Sequence, residues 1–265
     1  MANGRGPDDG AGTGKRGRRS PVQTAFYWLT IAVIWVAIFS VAFIGVMAID
    51  LPDISKLDNP DRQPSITYLD RSGALIAVRG GSQASVPVKI EELPDYVPLA
   101  FVAIEDRRFF THPGFDPVGI SRALLSNLSK KKGANLAGGS TITQQLARNL
   151  FLSANQNVKR KVQELMIAVW LEHKYTKKEI LEMYLNRVYF GAGAYGIEAA
   201  SQRYFNKDAK DLKVGEAAML AGLMKAPNAY SPLSDQERAG RRAMIVLNEM
   251  VQSKVITADQ RDEAI

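Results

Sequence analysis

Two acidic residues, Glu105 and Glu164, lie in segments whose neighbours could give a carboxylate a chemical role. Glu105 follows an apolar run over residues 99–104 and precedes Phe109, so a helix ending there would remove its carboxylate from water. Desolvation raises the pKa of a carboxyl group towards the range of a useful general base. An Asp-Arg surface pair that closes the helix explains this segment equally well.

Glu164 lies beside two cations. Arg160 and Lys161 precede it by four and three positions, which places the three side chains on one face of a helix. An ordinary surface ion pair is the commoner explanation of this pattern when it is taken alone. Apolar residues recur along the same segment, and they predict a stripe that packs into the core: Val158, Val162, Leu165 and Val169.

A third polar segment, residues 138–149, lies between the two carboxylates and reads Gly-Gly-Ser-Thr-Ile-Thr-Gln-Gln-Leu-Ala-Arg-Asn. On a helix that begins near its fourth residue, the apolar side chains share one face, and another face consists of Thr141, Gln145, Arg148 and Asn149. A helix N-terminus and an arginine fork both favour anions. A capped helix with a solvated polar face is the alternative.

Local signals predict a mainly α domain around these segments. Residues 65–69 and 74–78 flank the turn-like tetrapeptide 70–73 and predict a small β-hairpin. Helix starts are predicted at Asp116, Thr141, Thr176, Ser234 and Thr257. Residues 191–196 match the dinucleotide pattern G-x-G-x-x-G, but helical rather than strand spacing precedes them, so they predict a tight loop where helices pack closely.

Composition restricts the partners and the kinds of site. The 265-residue chain has 34 Lys and Arg against 27 Asp and Glu, and its net charge of +7 suits nucleic acid, anionic lipid or a pyrophosphate substrate. Cysteine is absent, which excludes a disulfide framework and a thiolate metal site. The two histidines, His112 and His173, are too few for a histidine-based metal cluster.

The N-terminal segment predicts a membrane anchor. Residues 1–20 are polar and basic, and they are expected to form a disordered cytoplasmic tail. The apolar run within residues 21–49 would span roughly 36 Å as a helix at ~1.5 Å per residue, enough for a bilayer and longer than the apolar run of a cleaved signal peptide. Basic residues precede this run and acidic ones follow it, so the linker at 50–64 and everything after it are expected outside the cytoplasm.

Together, and in this order, these segments resemble glycosyltransferase family 51, the transglycosylase domain of bifunctional penicillin-binding proteins and of monofunctional peptidoglycan glycosyltransferases. The resemblance covers residues 65–265 and rests on five motifs: EDRRFFTHPG at 105–114, GGSTITQQLARN at 138–149, RKVQE at 160–164, KKEILEMYLNRVYFGAGAYGIEAAS at 177–201 and EAAMLAGLMKAPNAYSP at 216–232. The sequence departs from the family at Arg148, where many members have Lys. The rigid guanidinium fork of arginine and the point charge of lysine are not interchangeable, so the resemblance supports the role of Arg148 less strongly.

The resemblance implies a lysozyme-like α fold over residues 65–265, with a lobe that dips into the membrane. One segment suits that location, because its apolar residues share a helix face and lysines follow them: Ile120, Leu124, Leu125 and Leu128. Core packing with a solvated basic turn is the alternative. Membrane lipids are therefore expected partners, and a transpeptidase domain is expected to follow Ile265.

The resemblance also implies a reaction, the transfer of a growing glycan from its polyprenyl pyrophosphate to the 4-hydroxyl of lipid II with inversion at the anomeric carbon. Glu105 is then expected to be the general base. The cations expected to bind the pyrophosphate are Arg148, Arg160 and Lys161. Glu164 would orient those cations or hold a divalent ion, Mg²⁺ or Mn²⁺, near the leaving group. The resemblance also predicts further residues that line the site: Asp106, Phe109, His112, Thr143, Gln144, Gln145 and Asn149. For His112 a structural role is the better prediction than proton transfer.

Two other functions stay open from the sequence. A lysozyme-like enzyme that cleaves glycans would use Glu105 as its acid, but it would not need the three cations. A non-catalytic, membrane-tethered scaffold would bind cell-wall precursors or proteins of cell elongation and division, but it would not need both carboxylates. No nucleic-acid partner is expected.

Overall fold

A computed structural model of the chain describes residues 21–49, 51, 66–69, 71, 75–79, 87–129, 139–151 and 158–264. The predicted tail at 1–20, most of the predicted linker at 50–64 and the side chains of Leu124 and Leu128 lie outside the described residues. The chain divides into two compact units, Met1–Ile49 and Asp50–Ile265.

In its described residues the first unit is a helix, α1 (Pro21–Ala48). Its apolar residues run all round the helix rather than along one stripe, and the span Pro21–Phe43 has a mean hydropathy of 2.2. This helix is long and apolar enough to cross a membrane, a test that a signal sequence near the N-terminus also passes. The predicted apolar helix is confirmed.

The second unit includes the predicted β-hairpin. β1 (Ile66–Leu69) and β2 (Leu75–Arg79) pair in antiparallel fashion. Ile66 lies opposite Arg79 and Tyr68 lies opposite Ala77, with a register shift after Tyr68. β-Branched and aromatic residues favour extended strands on both sides of the turn, and the hairpin prediction is confirmed.

Helices dominate the described part of the second unit, as predicted for a mainly α fold. They are α2 (Tyr96–Glu105), α3 (Pro117–Ser129), α4 (Ile142–Phe151), α5 (Val158–Lys174), α6 (Lys177–Leu185), α7 (Ile197–Phe205), α8 (Val214–Leu223), α9 (Gln236–Gln252) and α10 (Ala258–Glu263). Short 3-10 turns occupy Ile90–Glu92, Phe109–Thr111 and Ala209–Asp211.

Two groups of packed helices hold the candidate site residues. α8 consists almost entirely of small and apolar residues, and it packs against α9 while α2 packs against both. The approach is close at Gly222, where a Cβ atom would lie 3.0 Å from Cγ of Arg242. In the other group, α4 packs against α5 and α6. Glu105 therefore ends a helix of the first group, whereas Glu164 lies on a helix of the second.

Most helix starts follow the local capping signals. Four predicted starts are confirmed: Asp116, Thr141, Thr176 and Thr257. The fifth is wrong by one residue, because the carboxylate of Asp235, not the hydroxyl of Ser234, accepts from the backbone N–H of Arg238 and caps α9. A carboxylate at that position also complements the helix dipole.

The predicted core stripe on α5 is wrong. Val158, Leu165 and Val169 are exposed. The face of α5 that meets the core carries different residues: Gln163, Glu164, Ile167, Ala168 and Leu171. Helical spacing identifies residues that share a face, but it does not determine which face packs inward, and here the more polar face does.

Residues 191–196 contain the turn and the second strand of a small hairpin, whose strands the sequence does not predict. β3 (Tyr189–Gly191) and β4 (Ala194–Tyr195) pair in antiparallel fashion. Gly196 has a φ of 82°, and a Cβ atom there would lie 2.7 Å from the carbonyl oxygen of Asn186. The expected tight loop with close packing is confirmed, because only glycine combines this φ with this approach.

Candidate active site

Glu105 is the last residue of α2, and the buried apolar residues before it fix that helix in the core. Burial raises the pKa of its carboxyl group, in the direction that the sequence predicts. A hydrogen bond from Gln145 and the positive charges of Arg242 and Arg148 oppose this rise, while the neighbouring Asp106 adds to it. Glu105 is thus a partly buried carboxylate without a direct ion pair among the described residues.

Gln145, on α4, connects Glu105 to the interior of the domain. Its side-chain amide donates from Nε2 to Oε2 of Glu105 at 2.9 Å. Its amide oxygen accepts from the hydroxyl of Tyr184, on α6, at 3.1 Å. The predicted site residue Gln145 therefore contacts the predicted base.

Asp106 turns inward from the end of α2. Its carboxylate accepts from Nε2 of His112 at 2.9 Å and from the backbone N–H of Ile142 at 3.0 Å. Nδ1 of His112 accepts from the backbone N–H of Gly114 at 3.2 Å, so Nε2 carries the ring proton in the neutral tautomer. These bonds tie the loop after α2 to the start of α4, and they support the structural role predicted for His112.

The expected alternative for this segment, an Asp-Arg pair at the helix end, is wrong. Asp106 is buried with His112, and Arg107 forms an ion pair with Glu249 on α9. The start of α4, which could have received a substrate anion, is instead bonded at Ile142 by a carboxylate of the protein.

Glu164 is the centre of a second group of polar contacts, on α5. Its side chain is only 1% exposed, and its two oxygens pair with Arg160 and, at 2.9 Å, with Nζ of Lys161. Lys161 also donates to Oγ of Ser140 at 2.7 Å and to Oε1 of Gln144 at 3.4 Å. The structure thus brings together three predicted site residues and links them to the segment that begins α4.

Thr143 and Phe109 lie in a third group of contacts. The hydroxyl of Thr143 donates to Oε1 of Glu172 at 2.6 Å. The same oxygen accepts from Nζ of Lys177 at 2.7 Å, and this ammonium lies 4.5 Å from the centre of the Phe109 ring. Both predicted site residues are buried, so their contacts with a substrate stay a prediction.

Arg148 and Asn149 are exposed on α4, one turn beyond Gln145. Because the guanidinium of Arg148 acts on the pKa of Glu105, it lies within electrostatic range of that carboxylate. The structure therefore leaves a cation available to solvent near the predicted base. Pyrophosphate binding by Arg148 and Asn149 stays a prediction.

The residues present do not form a metal site of their own. Within the described part of the chain, no group of three or more His, Cys, Asp or Glu side chains converges. Both oxygens of Glu164, the predicted ligand, already pair with cations. A magnesium ion ordinarily needs several oxygen ligands, so this donor set does not fit a resident metal, and Mg²⁺ or Mn²⁺ binding stays a prediction.

Sequence reasoning missed three residues that contact the predicted ones and one cation that acts on the charge of Glu105. The three lie in helices whose sequence pattern indicates only core or surface positions: Tyr184, Lys177 and Glu172. The cation, Arg242, lies on α9, far along the chain from Glu105. Only the folded chain brings them to the site. The pattern at residues 176–179 marks the start of α6, but it does not indicate what Lys177 contacts.

Comparison with known proteins places this geometry in a family. A family model described as Transglycosylase matches residues 72–251, which is more than half of the chain and includes every predicted site residue. The chain belongs to the Transglycosylase family. The family model and the five sequence motifs therefore indicate the same kind of domain, a transglycosylase.

Curated relatives agree with this assignment. The transglycosylase chain is 45% identical over 215 residues to penicillin-binding protein 1A of Vibrio cholerae serotype O1, covering 81% of the chain and 26% of the relative. It is 42% identical over 229 residues to penicillin-binding protein 1A of Aquifex aeolicus, covering 84% of the chain and 31% of the relative. The chain thus spans between a quarter and a third of the length of these relatives.

A crystal structure of penicillin-binding protein 1A from Haemophilus influenzae also matches. The match has a TM-score of 0.45 and 26% sequence identity, and it covers 77% of this chain and 20% of that one.

Proposed function

We propose that this transglycosylase domain polymerises lipid II into β-1,4-linked glycan strands and releases polyprenyl pyrophosphate. The observation that carries the proposal is the contrast between two carboxylates, the partly buried Glu105 and the fully buried Glu164. Glu105 accepts from a neutral amide, whereas Glu164 is bound by two cations, and α4 contacts both groups. A glycosyl transfer to a sugar hydroxyl needs these two environments, one for a proton and one for a departing pyrophosphate.

Glu105 serves as the general base in this proposal. Desolvation makes its carboxylate more basic than an exposed one, so it can accept the proton of the acceptor 4-hydroxyl as the new glycosidic bond forms. The donor's anomeric carbon loses its bond to the pyrophosphate oxygen in the same displacement. Attack from the face opposite the leaving group inverts that carbon.

Lys161, Arg160 and Arg148 stabilise the departing pyrophosphate. The side chain of Lys161 is 50% exposed, so its ammonium can contact a substrate phosphate while it stays paired with Glu164. Glu164 is too buried to meet the sugar and instead holds Arg160 and Lys161 in place. Charge stabilisation of this kind is strongest where the cations are fixed before the substrate binds.

The membrane supplies the lipid-linked substrate. We place α1 across the cytoplasmic membrane with the N-terminus inside and the catalytic unit outside, since basic residues precede it and acidic ones follow it. Cell-elongation or division proteins are further partners that the family suggests. A phosphatase reporter joined after Ile265 should be active, and activity from a reporter that works only in the cytoplasm would contradict this orientation.

The activity is tested by incubating the purified full chain with labelled lipid II and resolving the products by gel. We expect a ladder of glycan polymers from the parent chain. Glu105→Gln should reduce the rate at saturating lipid II by ~100-fold or more, the usual effect of losing a general base.

Three outcomes would redirect the proposal. Shortening of preformed glycan without polymerisation would indicate a lysozyme-like hydrolase, which needs no pyrophosphate-binding cations. Binding of lipid II without any product, by a folded parent chain, would indicate a scaffold. A near-parental rate in Glu105→Gln would show that Glu105 is not the general base.

A further inference from the structure

Three side chains from three helices form one chain of hydrogen bonds that ends at Glu105. Tyr184 on α6 is fully buried, and its hydroxyl donates to Oε1 of Gln145 at 3.1 Å. Gln145 on α4 donates from Nε2 to Oε2 of Glu105, at the end of α2, at 2.9 Å. The orientation of the Gln145 amide therefore decides which atom faces the carboxylate.

The hydroxyl of Tyr184 fixes that orientation. A glutamine amide has a donor nitrogen at one end and an acceptor oxygen at the other, and either end can face a carboxyl group. Within the described residues, Oε1 of Gln145 is the acceptor that the structure gives the Tyr184 hydroxyl. Reversing the amide would leave this buried hydroxyl without an acceptor, which is unfavourable. Burial also raises the pKa of Tyr184 well above its usual value, so the hydroxyl keeps its proton.

The two orientations of the amide favour opposite states of Glu105. An amide nitrogen donates to an ionised carboxylate, whereas an amide oxygen accepts only from a protonated carboxyl group. A general base must be ionised before it can accept a proton from the substrate. The observed orientation is therefore the one that prepares Glu105 for catalysis.

We infer that Tyr184 is a positioning residue of the reaction: its buried hydroxyl holds the Gln145 amide with the nitrogen towards Glu105, and so keeps Glu105 in the state that accepts a proton. Tyr184 acts only through Gln145. The inference rests on the proposed function, because it takes Glu105 to be the general base.

Other charged groups act on Glu105 from different parts of the fold. Arg242 on α9 and Arg148 on α4 favour the ionised carboxylate, and Asp106, next in the chain, favours the protonated form. A substitution at Tyr184 leaves all three charges in place. A change in the titration of Glu105 would then report the hydrogen-bond chain rather than the surrounding charges.

The direct test is the titration of Glu105 in the full-length chain, with the side-chain carboxyl carbons of glutamate labelled with ¹³C and followed by NMR. Glu105→Gln identifies the Glu105 signal. In Tyr184→Phe we expect the pKa of Glu105 to rise above the parental one, because the amide can reverse and accept from the protonated carboxyl group. The matched control is Tyr96→Phe, which removes a hydroxyl that donates to the carbonyl oxygen of Leu212 at 2.7 Å, and it should leave the titration unchanged.

A second variant covers the case in which Tyr184→Phe does not fold. Gln145→Met removes the amide but keeps the length of the side chain, and it should raise the pKa of Glu105 in the same direction. In the double variant, Tyr184→Phe should add nothing to the effect of Gln145→Met. An unchanged Glu105 titration in whichever single variant folds like the parent would overturn the inference.

Activity gives an independent readout that a merely structural role would not produce. Where the rate of polymerisation follows the ionised fraction of Glu105, Tyr184→Phe should lower kcat by about 2- to 10-fold, the effect of one hydrogen bond. The rate should approach the parental one at higher pH, with KM unchanged. If the parent makes no glycan, the proposed function fails, while the Glu105 titration still decides the role of Tyr184. A loss that is equal at every pH would contradict the inference.

Discussion

Glu105 and Glu164 are both withdrawn from water, but their neighbours differ in charge. Two cations compensate Glu164, whereas the described residue that hydrogen-bonds to the side chain of Glu105 is a neutral amide. Burying a carboxylate without an ion pair costs stability, and active sites often retain such groups because the reaction needs them. The two residues should therefore respond in opposite ways when each loses its charge.

For Glu105, the sign follows from its raised pKa. The native state binds the proton more tightly than the unfolded chain does, so this residue favours folding at low pH. Its contribution falls as the pH rises from the unfolded value of about 4.3 through the native pKa. Glu105→Gln should remove this decrease in stability with rising pH. At neutral pH and above, the variant should therefore unfold at a temperature equal to or higher than that of the parent.

Glu164→Gln is the matched comparison, because it makes the same chemical change in the other buried carboxylate. It removes the negative charge that Arg160 and Lys161 share at this position and should lower the free energy of unfolding by about 1.5 to 3 kcal/mol. Thermal unfolding of both variants and the parent, at about pH 5 and about pH 8, measures the difference. Destabilisation of Glu105→Gln that grows with pH would contradict the assignment of an uncompensated carboxylate.

Helices α5 and α6 are joined to the loop after α2 by one ammonium group. Nζ of Lys177 donates to Oε1 of Glu172 and to the carbonyl oxygen of His112, both at 2.7 Å, and it lies over the ring of Phe109. Glu172 also accepts from Thr143 on α4. This network fixes the segment between Glu105 and α4. The geometry of the site therefore depends on α6, which carries Lys177 but no predicted catalytic residue.

Lys177→Ala should lower the free energy of unfolding by about 1.5 to 3 kcal/mol, because the carbonyl oxygen of His112 loses a donor and the partly buried carboxylate of Glu172 keeps only the hydroxyl of Thr143 among its described donors. The adjacent Lys178→Ala is the control, since the ion pair that Lys178 forms among the described residues is with Glu91 and both side chains are well exposed. Its effect should stay below about 1 kcal/mol. Urea unfolding of the two variants provides the measurement, and equal effects would show that the network does not stabilise the site.

At the scale of elements, the sequence predicts what local chemistry determines. Capping residues predicted most helix starts, and the turn-like sequence at residues 70–73 predicted the hairpin, because these signals act between near neighbours in the chain. The inward face of α5 was not predicted correctly. That face carries Glu164, and its ion pairs with neighbouring cations offset the cost of burying the carboxylate. A hydropathy pattern counts all of these residues as polar, so it predicts that they face the solvent.

The site was predicted only in part for a similar reason. The motifs predicted Glu105, Gln145 and the cations as site residues, but the contacts of Tyr184 and Lys177 join residues that are far apart in the chain. No local pattern marks a tyrosine hydroxyl that will meet a particular amide. Such positioning residues become visible once helices α2, α4 and α6 are packed together.

At the scale of the whole molecule, the lipid-linked substrate that we propose would require the catalytic unit to work at a membrane. α1 is a candidate anchor, and a second, independent contact is expected from α3. Val118, Ile120 and Leu125 are exposed on that helix, although core packing was the alternative for the last two. Exposed apolar side chains followed by lysines favour the boundary between headgroups and acyl chains, especially in anionic bilayers.

A variant that lacks residues 1–49 should therefore still bind liposomes, and more strongly when they contain anionic lipid. Leu125 is 68% exposed, and Leu125→Asp should weaken that binding by about 10-fold or more, because an apolar contact of roughly 1.5 to 3 kcal/mol is lost and a negative charge is added. The control is Leu233, which is 59% exposed in the turn before α9. Leu233→Asp should leave the binding of the shortened chain to liposomes unchanged. Flotation with the liposomes measures the bound fraction. If both aspartate variants bind equally, α3 does not enter the bilayer, and α1 alone must bring the catalytic unit to its substrate.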